Sequence, residues 1–243
     1  KMKGLNNRIL RECGAELKFY PGLPLFFKQI KELIENDSNY KSCDIRLEHY
    51  VVSTGFAETI QGSAIAPYVD GIFGCEFIET PAPSGFIAEY SNSKENEISQ
   101  IAIALDNTSK TRYLFEINKG SNKFPETIDV NSFIEPENRR IPFRNMLYIA
   151  DGPSDVPAFS ILNNHQGSTF AIYPKGDSKA FKQVEQLRKD KRIETFGEAD
   201  YSEGTHTWMW LTTRVKEIAD GILKRHKDTL QKSSSVPPGH LSL

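Results

Sequence analysis

The sequence predicts an α/β protein with a Rossmann-like, doubly wound parallel sheet covered by helices on both faces. Two observations predict it. Short apolar runs of strand type alternate with amphipathic helical stretches. Small polar and acidic residues follow those runs, at the carboxyl ends of the strands where such sheets bind ligands. A chain of 243 residues has room for one large domain, or one domain with a small appendage.

In chain order, residues 5 to 16 read as a helix. After the turn Tyr20-Pro21-Gly22, the residues Leu23, Phe26, Phe27, Ile30, Leu33 and Ile34 recur at three-and-four spacing, the stripe of a core-facing helix. A polar loop over residues 36 to 42 leads into a strand over residues 47 to 53, and a helix is expected over residues 56 to 66. Two β-rich runs, residues 72 to 78 and 85 to 90, are joined by Thr80-Pro81-Ala82-Pro83-Ser84 and read as a hairpin flap over residues 72 to 90. A helix over residues 109 to 118 follows. Residues 119 to 143 contain Gly120, Pro125, Pro136 and Pro142 and read as a long irregular connection.

A buried-type strand over residues 146 to 150 comes next, then a helix near 154 to 163, a strand over 168 to 173, a helix over 178 to 189 and an extended run over 192 to 196. The final helix carries Trp208, Leu211, Val215, Ile218, Ile222 and Leu223 on one face. Residues 231 to 243, with Ser233-Ser234-Ser235-Val236-Pro237-Pro238-Gly239, read as a disordered tail.

Composition excludes several classes of function. The 30 basic and 32 acidic residues give a formal charge of -2, so no bulk field attracts nucleic acid or an anionic membrane. No apolar run approaches the roughly 20 residues that span a bilayer. Cys13, Cys43 and Cys75 lack metal-ligand spacing and fit a reducing, cytoplasmic compartment. The five histidines stand in unlike contexts, without zinc-site spacing.

The most chemical stretch is Tyr148-Ile149-Ala150-Asp151-Gly152-Pro153-Ser154-Asp155. An apolar strand runs into two carboxylates four residues apart, on a Gly-Pro turn that opens a helix. Mg²⁺ needs several oxygens at near-octahedral geometry and keeps some waters, and a carboxylate pair on a strand-to-loop junction can supply part of that shell. Capping of the next helix is the simpler role for the same residues. In Val51-Val52-Ser53-Thr54-Gly55-Phe56 a hydroxyl ends a strand and Gly55 relaxes the turn. Ser53 and the neighbouring backbone N–H groups could hold a phosphate oxygen there, or Ser53 could be an ordinary cap. Lys110 sits in the first turn of its helix, where a cation opposes the macrodipole.

This order of motifs resembles the haloacid dehalogenase superfamily of aspartate-nucleophile phosphatases, in particular its phosphoserine-phosphatase-like members. The stretch from Val51 to Phe56 resembles the second motif, Lys110 the third, and Tyr148 to Asp155 the fourth. Tyr20-Pro21-Gly22 resembles the approach to the helix before the second motif, and the flap falls where such members carry one. The likeness covers most of residues 17 to 225. It implies a Mg²⁺-dependent phosphomonoester hydrolase working through an aspartyl-phosphate on a small phosphorylated metabolite. Asp151 would bind the metal, and Asp155 would either complete the metal shell or hold Lys110. Ser53, Thr54, Gly55 and Lys110 would bind the phosphoryl group, with Ser53, Lys110 and Asp155 acting in catalysis. Ser154 would add a supporting hydrogen bond, and Lys119 competes with Lys110 for the lysine role.

One departure is large. The nucleophile of that family is the first residue of an Asp-x-Asp motif at the end of the central strand, and no Asp-x-Asp occurs in the 243 residues. Asp37, Asp44 and Asp106 follow no buried strand. Omitting the strand about which a sheet pairs would leave buried backbone groups without partners. The expectation is therefore that the nucleophile strand and most of a helical cap precede Lys1. Residues 1 to 16 would then be the end of that cap, residues 17 to 230 the core and residues 231 to 243 the tail. The rival expectation is a scaffold of the same family that has lost catalysis and serves as a binding or regulatory module.

Overall fold

The computed structural model describes residues 4–79 and 97–234. Its elements run α1 (Asn7–Gly14), α2 (Leu25–Glu35), α3 (Ser38–Ser42), β1 (Tyr50–Phe56), α4 (Ala57–Gln61), β2 (Gly71–Glu79) and β3 (Ile98–Ile103). They continue with α5 (Lys110–Lys119), β4 (Leu147–Ala150), α6 (Val156–Asn164), β5 (Ser168–Tyr173), α7 (Ser178–Lys189), β6 (Thr195–Glu198) and α8 (His206–Ser234).

The mixed α/β class with parallel strands is as the alternation predicts, but the strands form two sheets. β1, β2 and β3 make one, in that order, and β4, β5 and β6 the other. In the second sheet both pairings are parallel, with Phe170 of β5 opposite Ile149 and Thr195. Period-two alternation sends the side chains of β5 to two helical layers. Phe170 and Ile172 pack with Phe26, Ile30 and Ile34 of α2 and Leu211, Val215 and Ala219 of α8. Ala171 meets Phe159 of α6 and Val184 and Leu187 of α7 on the opposite face. This half is doubly wound.

The first sheet is mixed. β1 runs parallel to β2, and β2 antiparallel to β3. Phe73 of β2 stacks on Tyr113 of α5, ring centroids 4.5 Å apart. On α4, Gly62 touches α1 so closely that an added Cβ would lie 1.8 Å from the Arg11 carbonyl oxygen. The first helix is thereby docked on the sheet's own helix.

Two helices bridge the halves. α2 lies among Leu47, Leu147, Ile149 and Phe170, and its Phe27 ring meets His49, just before β1, edge-on at 5.0 Å. α5 sends Leu114 to Phe143, Met146 and Tyr148 while Tyr113 covers Phe73. Between them β1 and β4 are both edge strands, each paired on one side among the described residues and not with each other. All four residues of β4 are partly exposed, whereas five of the six in β5 are buried. The expected single sheet is thus divided between β1 and β4 among the described residues.

Other expectations need correction. β2 pairs antiparallel with β3, whose residues Ile98 to Ile103 lie beyond the expected 72–90 hairpin; residues 80 to 96, with the run 85 to 90, lie outside the described residues. The strand expected over 47 to 53 starts at Tyr50 and runs to Phe56, and the helix after it is only Ala57–Gln61. The extended run expected over 192 to 196 is β6, displaced to Thr195–Glu198. The loop over 36 to 42 contains α3, capped by Asp37, whose carboxylate accepts the Asn39 N–H. Helix α8 continues to Ser234, so the tail cannot begin at residue 231; residues 235 to 243 lie outside the described residues. The 119–143 connection is irregular as expected. Gly120 ends α5 with φ 92°, the left-handed cap that glycine adopts without a Cβ penalty. Arg140 then straps the connection to Glu48 ahead of β1. Burial disfavours the Glu48 carboxylate, but hydrogen bonds from Arg140 and Tyr50 outweigh it and hold its pKa below the usual value.

Candidate functional site

The Asp151 loop leaves β4 at its carboxyl end, and Pro153–Asp155 forms a single 3₁₀ turn before α6. Asp155 is 3% exposed, so its charge must be met inside the protein. Three donors meet it. Lys110 Nζ lies 2.8 Å from Oδ1, the Tyr148 hydroxyl donates to the same oxygen at 2.7 Å, and Ser154 Oγ donates to Oδ2 at 2.9 Å. Lys110 is itself 7% exposed. Its ammonium has three N–H groups, and among the described residues the two not given to Asp155 have no acceptor. Burial, followed by the bond to Asp155, pushes the Tyr148 hydroxyl well above the ordinary tyrosine pKa, so it remains a neutral donor.

The helix explains how Lys110 arrives. Asp106 Oδ1 accepts the Thr108 and Ser109 N–H groups, which fixes the turn leading into α5 and delivers Lys110 as its first residue. The hydrogen bonds from Ser109 hold the Asp106 carboxyl below its usual pKa. Lys119, at the other end of α5, donates to the Val130 and Ser132 carbonyls at 2.6 and 2.7 Å and so staples the connection. Of the two lysines, Lys110 reaches the acidic loop.

Asp151 is exposed and has no hydrogen-bond or ion-pair partner among the described residues. Its charge contributes to raising the pKa values of Tyr148 and Tyr201, after burial and nearer groups. The backbone beside it is tied in as well: the Tyr201 N–H donates to the Pro21 carbonyl at 2.8 Å, bringing the Tyr20-Pro21-Gly22 turn against residues 201–202.

Ser53 departs from expectation. It lies inside β1 and not at a helix N-terminus, because β1 advances from Val52 to Phe56 while β2 advances only from Phe73 to Cys75. The surplus residues form a bulge of the kind that re-aims side chains at strand ends. Ser53 Oγ accepts the Gly55 N–H at 3.0 Å and closes that bulge. Thr54 and Gly55 are exposed. None of the three bonds to Lys110, Asp151 or Asp155. The link between their loops is Cys75, whose thiol donates to the Thr54 carbonyl and accepts the Leu105 N–H, each at 3.3 Å.

The described residues do not complete a Mg²⁺ site. No three His, Cys, Asp or Glu side chains converge among them. Asp155 bonds Lys110, Tyr148 and Ser154, the arrangement of the alternative in which it holds Lys110. Asp151 alone offers one free carboxylate. Tyr148 and Cys75 were missed in the sequence. A tyrosine inside an apolar strand was the available signal, since a buried hydroxyl needs a partner.

No protein-family model and no solved structure matches the chain. It is similar to an uncharacterized protein of Borreliella burgdorferi (strain ATCC 35210), 39% identical over 217 residues, which are 88% of this chain and 72% of the relative. The chain belongs to the family of that protein. Among the described residues no helix is long and apolar enough to cross a membrane.

Proposed function

We propose that the Lys110–Asp155 centre binds the phosphoryl group of a small phosphorylated metabolite and that the intact protein is a phosphomonoester hydrolase of haloacid dehalogenase type. The observation that carries this reading is the buried Lys110 ammonium, fixed by one bond to Asp155 with no other acceptor for its N–H groups among the described residues. A preorganised cation in a dry setting stabilises charge developing on a transferring phosphoryl group without reorganising at the moment of reaction. Asp151, exposed and without a partner among the described residues, is the carboxylate proposed for the Mg²⁺, and the remaining ligands would come from outside the described residues. The hydroxyls of Ser53 and Thr54, with the Gly55 backbone, are proposed to complete the phosphate contacts, across the Cys75 link.

The nucleophile is assigned to an Asp-x-Asp segment outside these residues. The edges of β1 and β4, unpaired on one side among the described residues and held apart under α2 and α5, support a strand between them, which would join the two sheets and end beside Asp151. In-line attack of that carboxylate on phosphorus would form an acyl phosphate as the ester oxygen departs with a proton, and water would then cleave the acyl phosphate. The compartment proposed is the cytoplasm. The test is hydrolysis of an aryl phosphate by the full-length protein: wild type should turn over and Asp151→Asn should lose about 10²-fold or more, the scale of one lost electrostatic element. Turnover by neither, with phosphate still bound, would establish the second reading, an inactive scaffold that binds.

A further inference from the structure

Asp155 accepts two donors on a single oxygen, and the second of them is unaccounted for by the pairing of Lys110 itself. Oδ1 takes Lys110 Nζ at 2.8 Å and the Tyr148 hydroxyl at 2.7 Å, while Oδ2 takes Ser154 Oγ. Each carboxylate oxygen offers about two lone-pair sites, so the phenol and the ammonium fill Oδ1 between them. Without the phenol, Oδ1 would lose a donor that fixes its direction, and the Lys110 ammonium bonded to it would be free to turn with the carboxylate. With it, Lys110 makes one bond and keeps the others available.

We propose that Tyr148 is a positioning residue, holding Asp155 so that the Lys110 ammonium presents two free N–H donors to a tetrahedral oxyanion. The Tyr148 ring is fixed edge-on against Phe159 of α6, centroids 5.5 Å apart, and its own strand carries Asp151 three residues on. The strand that delivers the acidic loop therefore also sets the direction of a lysine from the other half of the fold. This rests on the phosphate-binding reading above and adds to it a residue that touches no substrate.

Inorganic phosphate, titrated calorimetrically into the full-length protein, tests both layers separately. Lys110→Met should abolish binding; if it binds as wild type does, the phosphate reading fails. Tyr148→Phe keeps the ring and deletes the hydroxyl, and should weaken phosphate about tenfold, the scale of one misdirected charged hydrogen bond. A purely packing role would lower the melting temperature and leave the dissociation constant unchanged; that result, with Lys110→Met inactive, overturns this inference alone. Should Tyr148→Phe fail to fold, Ser154→Ala loosens the same carboxylate at Oδ2 and should weaken phosphate about threefold. No change in Ser154→Ala would then count against Tyr148 as well.

Discussion

At the scale of single residues, burial decides what each polar group can do. Asp155 and Lys110 are nearly dry and bonded to each other, so their charges are structural as well as chemical, whereas Asp151, four residues earlier, faces solvent. His49 shows the same principle away from the site. Its ring lies against Phe27, its Nδ1 has no hydrogen-bond partner among the described residues, and burial lowers its pKa to about 4, with Asp70 opposing and Lys31 assisting. The unfolded chain takes up a proton near the ordinary histidine value of 6.5, before the folded protein does. Folding is thus favoured by neutral His49 above about pH 6.5 and loses that contribution as pH falls towards 4. Denaturant melts should show stability declining through this window, by on the order of 3 kcal/mol at most. In His49→Phe the slope in that window should be markedly smaller; an unchanged slope would remove His49 from the account.

At the scale of elements, close backbone approach is the deciding contact for α1. Gly62 has φ of −81°, so its backbone suits any residue, and only the contact with Arg11 excludes a side chain. Gly62→Ala should cost about 1–3 kcal/mol and speed hydrogen exchange throughout α1 while leaving α7 unchanged; equal protection in α1 would show that the helices give way at no cost. The elements themselves were unevenly legible. Ser168–Tyr173 and Ser178–Lys189 were readable to the residue because buried strands and amphipathic helices leave undiluted patterns. β3 was not, because its exposed Ile101 and Ile103 give no one-sided burial to read. The Ser53 bulge was equally hidden, since a register shift is a property of two strands and not of one. Lys110 and Asp155 were visible as separate motifs with their pairing as one of two alternatives; choosing the bond, and finding the part of Tyr148 in it, required the third dimension.

At the scale of the whole molecule, the two three-stranded sheets and the bridging helices α2 and α5 form a frame with an open seam. Among the described residues, the amide groups of β1 and β4 on the seam side have no strand partners, and unpaired edges exchange quickly and invite pairing. In hydrogen exchange on this chain alone, alternate amides over Tyr50–Val52 and Leu147–Ala150 should exchange much faster than those of β5. In a longer protein bearing an Asp-x-Asp strand they should become protected together; protection of only one edge would exclude a strand shared by both. The Lys110–Asp155 bond spans this frame, since α5 follows the first sheet in the chain and Asp155 belongs to the second. Sliding one half along the other by a single strand residue, about 3.3 Å, would pull the ammonium off its oxygen and strand both charges in apolar surroundings. The contact therefore works as a vernier, admitting one alignment of the halves and penalising its neighbours, whatever net stability it adds.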